Sequence, residues 1–188
     1  MTTENEVTVA DVSTWMERQL TDLEFKFERN DNLFSFNLGI PNCKIKCVHV
    51  DIEVVGTQIV GSAVPYLSVD EEMRARMAEL IVRMNYEHLI YGCWQMDYRD
   101  GEIRYVNKVP LPTTEKGTHE TLLHMLGTTL GTYGMYTDAI LAVLCGAKTA
   151  EEANDMLYDP EADDDEEDEE EGVEVDEEDD VDEEEDSF

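Results

Sequence analysis

The thirty residues from Asp159 to Phe188 hold 22 Asp or Glu and no Lys or Arg. A segment this charged and this poor in apolar side chains cannot bury enough surface to offset the entropy of ordering it, so it is expected to be disordered. Any folded core is therefore confined to the residues before it. The whole chain of 188 residues carries a net charge of −33, and setting the run aside leaves −11 on residues 1–158. The expected organisation is one domain over 1–158, long enough to bury a core without staples, and an acidic low-complexity tail over 159–188.

Charge and hydropathy exclude several classes of function. Phosphate contacts need Lys and Arg, and the sequence has no basic cluster, so nucleic acid is not an expected partner. Anionic membrane surfaces are disfavoured by the same repulsion. The longest strongly apolar run, Ala139 to Cys145, is far shorter than the roughly 20 residues that span a bilayer. The opening "MTTENEVTV" has neither a basic nor an apolar leader region. Cys43, Cys47, Cys93 and Cys145 lack C-x-x-C spacing and sit in apolar or alternating segments, which predicts buried thiols in a reducing compartment. The expected location is the cytoplasm.

The order of elements follows from periodicity. Val12, Trp15, Met16, Leu20 and Leu23 recur at helical spacing, with Thr8 and Asp11 as a capping pair. Alternation through Phe25 and Phe27, a break at Asn30-Asp31-Asn32, and renewed alternation from Leu33 to Ile40 predict a hairpin. In "CKIKCVHVDIEVV" the apolar phase changes near Cys47 and Val48, which predicts a β-bulge or sharp bend there. "TQIVGSAVP" is a further strand, so three or four antiparallel strands precede the second helix. That helix is expected to start at a Ser68–Glu71 capping box and to run to about Asn85, with Met73, Met77, Leu80, Ile81 and Met84 on one face.

Asp100-Gly101 is a strong two-residue hairpin signal. Centred there, the hairpin sets Tyr98 opposite Ile103, Met96 opposite Tyr105 and Asp97 opposite Arg104. A long helix is predicted from Thr118 to Cys145, with Leu122, Leu123, Leu126, Leu130, Tyr133, Ile140, Leu141 and Leu144 inward and Gly146 as its C-terminal cap. Its interior holds Gly127, Gly131 and Gly134, which predicts either close approach of another backbone or a break near Gly131 to Gly134. A short last helix starts at Thr149, with Glu152 as capping partner, and ends near Leu157.

This α-β-β-β-α-β-β-α order resembles the type III secretion chaperone-like fold. The stretch "LIVRMNYEHLIYGCWQMDYRDGEIRYVNKVPLP", from Leu80 to Pro112, resembles the helix end, Asn and strand pair of YbjN-type domains. The resemblance implies an α+β fold, an antiparallel sheet flanked by helices. It further implies a chaperone-like, non-catalytic module that dimerises and holds a partner polypeptide along its sheet and helix surfaces. The glycine-bearing helix, or the helix from Val69 to Asn85, would be the dimer surface. The acidic tail departs from the smaller members of that group.

Candidate chemistry is sparse. His119 and His124 in "HETLLH" are five apart, whereas a zinc protease helix needs them four apart on one face. Cys43 and Cys47, four apart in an extended strand, would be roughly 13 Å apart and could not share an ion. His49, Asp51 and Glu53 share one strand face, where they could serve acid–base chemistry or simply meet solvent. No metal, cofactor or catalytic residue is expected. The candidate partner-binding residues are Trp94, Tyr98, Tyr105, Met77 and Met84, because aromatic and Met side chains dominate interface hot spots; a place in the core is the competing reading for each. The alternative function rests on the tail, as a decoy or chaperone for basic proteins acting by charge alone.

Overall fold

Thr8 opens the first helix as its neighbours predict. Its hydroxyl accepts the Asp11 backbone N–H, while its own N–H and hydroxyl donate to the Asp11 carboxylate at 2.9 and 2.6 Å. This reciprocal arrangement satisfies donors that a helix start otherwise leaves free, and the bonds from Thr8 hold the Asp11 carboxyl below its usual range. The helix, α1, spans Val9–Asp22 and buries Val12, Met16 and Leu20. The structure is a computed structural model, and it describes residues 7–158; the tail expected over 159–188 lies outside the described residues.

Strands β1 (Phe27–Asn30) and β2 (Leu33–Gly39) are joined by two residues, of which Asp31 takes a φ of 53°, a conformation Asp tolerates better than most residues. Strands β3 (Cys47–Val55) and β4 (Gln58–Pro65) continue the meander. Helix α2 (Arg74–Glu87) intervenes before β5 (Cys93–Met96) and β6 (Ile103–Pro110). The six strands lie in the order β1-β2-β3-β4-β6-β5, each pair antiparallel. Helices α3 (Glu115–Leu144) and α4 (Ala150–Asp155) complete an α+β fold, an antiparallel sheet flanked by helices. Four strands precede α2, within the expected three or four, and α4 is the short last helix expected from Thr149.

Alternation decides which sheet face is covered. In β3, Val48, Val50, Ile52 and Val54 are buried, while His49, Asp51 and Glu53 face the other way. The buried face meets α1, α2 and α3. At its centre Trp94 lies 5.0 Å from Tyr133 and 5.8 Å from Tyr105 between ring centroids. Tyr133 donates its hydroxyl to the Ala63 carbonyl at 2.8 Å, and burial pushes that hydroxyl far above its ordinary pKa. Each such ring contributes about 1.5–3 kcal/mol through burial, so this cluster fixes how α3 sits on β4, β5 and β6.

Several local expectations are corrected. β3 pairs in unbroken register with β2 from Cys47 and with β4 from Val48. The phase change in the sequence marks the start of the strand, preceded by bends at Cys43 to Ile45, and not a bulge inside it. Ser68 does not cap α2. It forms a bridge with Glu102 while Val69 N–H donates to Gly101 O at 2.8 Å, which keeps Ser68 extended, and a 3-10 turn over Glu71–Met73 leads into the helix.

The hairpin of β5 and β6 is shifted by two residues from the predicted register, with Met96 opposite Ile103 and Trp94 opposite Tyr105. The turn is longer than two residues because local polar bonds favour it. Gly101 N–H donates to Asp97 O, Asp97 N–H donates to Glu102 O, and the Asp97 and Asp100 carboxylates accept backbone N–H groups two residues on. A two-residue shift leaves every side chain on its original face, so the core tolerates it. Gly101 itself is obligatory: its φ is 79°, and an added Cβ would stand 2.1 Å from the Val69 carbonyl oxygen.

Helix α3 runs for 30 residues without a break. Leu123, expected inward, is exposed, whereas Leu122 and Met125 fill the core. The glycines of α3 neither break it nor admit another backbone within the described residues. A Cβ at Gly127, Gly131 or Gly134 would meet no atom within 4 Å, so each costs about 1 kcal/mol relative to Ala with no compensating contact.

Candidate functional site

Asn85, near the end of α2, sets the geometry of the connection from α2 to β5. Its amide donates to Trp94 O at 2.9 Å and accepts Trp94 N–H at 2.8 Å. The side chain thus serves edge strand β5 as a substitute strand partner, fastening the connection at both ends. Inside it, His88 and Leu89 both donate their N–H groups to Met84 O. Tyr105 donates its hydroxyl to Tyr91 O at 2.8 Å. With its backbone so held, the connection turns Ile90 and Tyr91 outward: Ile90 is 87% exposed.

Between this connection and α3 lies an open groove of about 240 Å³. Leu89, Ile90 and Tyr91 form one wall; Gly131, Thr132, Met135 and Tyr136 of α3 form the other, with Tyr105 and Thr128 below. His88 closes one end, its ring 4.4 Å from that of Tyr158, and its Nε2 has no hydrogen-bond partner among the described residues. Tyr91 packs edge-on against His124 at 5.2 Å. Among the described residues the lining is mostly apolar, with His88, Thr128 and Thr132 as its polar members, and contains no Lys, Arg, Asp or Glu. Pockets that enclose drug-sized ligands run about 300–1,000 Å³; this groove is smaller and open, a shape for one or two side chains of a larger partner.

Beyond His88, Asn154 and Tyr158 donate to the Glu87 carboxylate at 2.6 and 2.9 Å. The bond from Asn154 is the main reason the Glu87 carboxyl is held below its usual range, and the bond to Glu87 pushes the Tyr158 hydroxyl up. Glu87 thus stays ionised, ties the end of the described chain to α2, and leaves Tyr158 as the last described residue beside the groove.

The predicted partner-binding residues divide sharply. Met77, Met84, Trp94 and Tyr105 are each no more than 1% exposed; they pack the core, and of the four only Tyr105 lines the groove. Tyr98, at the β5–β6 turn, is 58% exposed. The exposed apolar residues that residue type and periodicity did not single out include Val82 and Tyr86 on α2, Ile90 and Tyr91 after it, and Met135 on α3. Their signal was present: "HLIYG" places three apolar residues in a connection, where turn chemistry alone would call for polar ones.

On the sheet face turned away from the helices, polar groups of β2 and β3 hydrogen-bond to one another and to Tyr66, just past β4. Ser35 donates to Asp51 at 2.5 Å, His49 Nε2 lies 3.3 Å from Asp51, its Nδ1 lies 3.4 Å from Asn37, and Tyr66 donates to Asn37 at 2.6 Å. A nucleophile–base pair needs the hydroxyl on the imidazole; here the carboxylate stands between Ser35 and His49. A separate hollow of about 400 Å³ on this face sets Asp51 and Glu53 across from Arg104 and Lys108.

Cys43, in the bends before β3, is buried, its thiol 3.1 Å from Thr137 Oγ1. Among the described residues no three His, Cys, Asp or Glu side chains come together as metal ligands, and no helix is long and apolar enough to cross a membrane.

No protein-family model and no curated protein matches this sequence. Among solved structures the chain is similar to the crystal structure of YbjN from E. coli, at 12% identity and a TM-score of 0.49, over 73% of this chain and 94% of that one.

Proposed function

We propose that residues 1–158 form a non-catalytic, chaperone-like domain that binds a partner polypeptide and associates as a homodimer. The observation that carries this reading is the cluster of large apolar side chains left in water. Val82, Tyr86, Ile90 and Tyr91 fall within ten residues of one another in sequence, and each is more than half exposed, as is Met135 across the groove. Single exposed apolar residues need no explanation, but a concentration of them marks an interaction surface. The outer side of α2, with Val82 and Tyr86 one turn apart, supports self-association; the groove beyond it supports capture of a second chain. The order Ser35–Asp51–His49, with the carboxylate between hydroxyl and imidazole, supports a binding role over a catalytic one.

Sedimentation equilibrium of the full chain over a wide dilution series tests the first half. A mass that rises with concentration for the native chain and falls for Val82→Ser with Tyr86→Ser supports the dimer. A site-specific photo-crosslinker at Ile90 tests the second half. A chain that stays monomeric at every concentration and yields no specific cross-link removes the proposal.

The alternative is that the acidic run alone captures basic proteins. It predicts capture that collapses as salt rises, because such attraction is screened within about 8 Å at physiological ionic strength. It also predicts no effect of substitutions at Val82, Tyr86 or Ile90. Deleting residues 159–188, which hold all 22 carboxylates of the run, should abolish capture under the alternative and leave apolar binding in place under the main reading.

A further inference from the structure

Building on the polypeptide-binding reading above, we propose that the groove between the α2–β5 connection and α3 takes a short amphipathic helix with an apolar stripe and basic flanks. Three observations converge on this occupant. The groove is mostly apolar, open to solvent and of side-chain size, which fits an apolar stripe inserted one or two residues at a time. Ile90, Tyr91 and Met135 stand exposed on its two rims, so an occupant removes three large apolar side chains from water. Gly131 lies in one wall, and among the described residues the space beside Gly127, Gly131 and Gly134 is free of any atom within 4 Å of a Cβ position, which lets a second backbone lie close along α3.

Charge selects the partner's chemistry. The chain carries −33, so a second copy brings like charge against like. Among the described residues no cation lines the groove, and the carboxylate beyond His88, that of Glu87, is kept ionised by its bonds from Asn154 and Tyr158. In the sequence, Asp159 follows directly on Tyr158, whose ring stacks on the groove's end residue. Along the chain, the run of 22 carboxylates therefore starts directly after Tyr158. A partner with Lys or Arg flanking its apolar stripe is drawn by that charge and held by the groove, which separates steering from specificity.

The test uses the full chain and three labelled synthetic peptides in fluorescence anisotropy. The first is a helix-forming peptide with Leu at i, i+4 and i+7 and lysine flanks; the second keeps the stripe with glutamate flanks; the third has the first one's composition scrambled to destroy the stripe. The proposal requires the first peptide to bind at least tenfold more tightly than either control. It requires Gly131→Leu, which fills the open side of α3, and Ile90→Ser each to weaken that binding at least tenfold. Conversion of the carboxylates of 163–171 to amides should weaken it severalfold and flatten its salt dependence.

Equal binding of the scrambled peptide overturns the proposal in favour of charge alone. Equal binding of the glutamate-flanked peptide overturns the basic partner. If Gly131→Leu abolishes self-association while no peptide binds, the groove's occupant is a second copy and the proposal falls. The broader reading survives that result, and it falls as well only if the native chain is monomeric and the cross-linker at Ile90 is silent.

Discussion

The turn from β5 to β6 is closed by polar bonds within itself, whereas the connection from α2 to β5 leaves apolar side chains in water. Around Gly101 the carboxylates of Asp97 and Asp100 accept backbone N–H groups. Arg99 donates to Asp97, which holds the Asp97 carboxyl well below its ordinary range. Arg74, from the start of α2, donates to the carbonyls of Val69, Tyr98 and Arg99. The other connection is anchored by Asn85 and by Tyr105, but the side chains of Ile90 and Tyr91 take no part in that anchoring and are exposed. Both segments hold β5 in place. The second leaves Ile90 and Tyr91 side by side in water next to an apolar groove, whereas the first exposes Tyr98 among charged neighbours.

Trp94 is where the two segments share a dependence, and its loss should have the largest effect. Trp94→Ala removes a fully buried ring that touches Tyr105, Tyr133 and Tyr136, at an expected cost of about 3–5 kcal/mol in urea unfolding. Such a loss would break down both connections at once.

Asn85→Ala should separate them. It leaves the Trp94 N–H and C=O without their side-chain partner at about 2 kcal/mol, and it loosens the α2–β5 connection while the Asp97–Glu102 turn keeps its own bonds. Hydrogen exchange should therefore speed up at Leu89 to Trp94 and stay unchanged at Gly101 and Glu102. Equal acceleration in both would show that the two segments open together.

The contrast also explains which parts could be read from sequence. Thr8–Asp11 and Thr149–Glu152 form the capping boxes their spacing predicts, because a cap is decided within four residues. The alternation of β3 is likewise local, and it places its polar side chains on the uncovered face as expected. Ser68–Glu71 has the same local pattern and fails, because Val69 is drawn to Gly101 from a distance of about thirty residues in the chain. Met77, Met84, Trp94 and Tyr105 are buried, the core place that competed with a partner surface for each, and the sequence could not decide between the two for a related reason. Residue type alone does not say which apolar face α3 covers, and α3 and the sheet cover that one.

Gly131→Ala carries the comparison onto α3. In a helix interior with open space beside the Cβ position, Ala should stabilise the fold by about 1 kcal/mol. A rise in the urea midpoint with an unchanged slope would show that the glycine serves no purpose inside the protomer. A fall would mean that the fold itself needs the glycine, and its place in the groove wall would no longer require a partner to explain it.

The smallest stability effect is expected at Ile90, and it discriminates best. Ile90→Ser changes an exposed side chain on a backbone held by neighbouring residues, so stability should move by less than about 0.5 kcal/mol. Tyr98→Ser, at the polar turn, should be as mild for the same reason. The two differ in what surrounds them: Ile90 stands over an apolar groove with Met135 across from it, whereas Tyr98 stands among charges at a turn closed by its own bonds. Binding of any apolar partner should therefore weaken on Ile90→Ser and persist on Tyr98→Ser. If thermal melts show both variants folded like the native chain and binding responds to Tyr98 instead, the interaction surface lies at the turn, and the exposed residues of the α2–β5 connection have another cause.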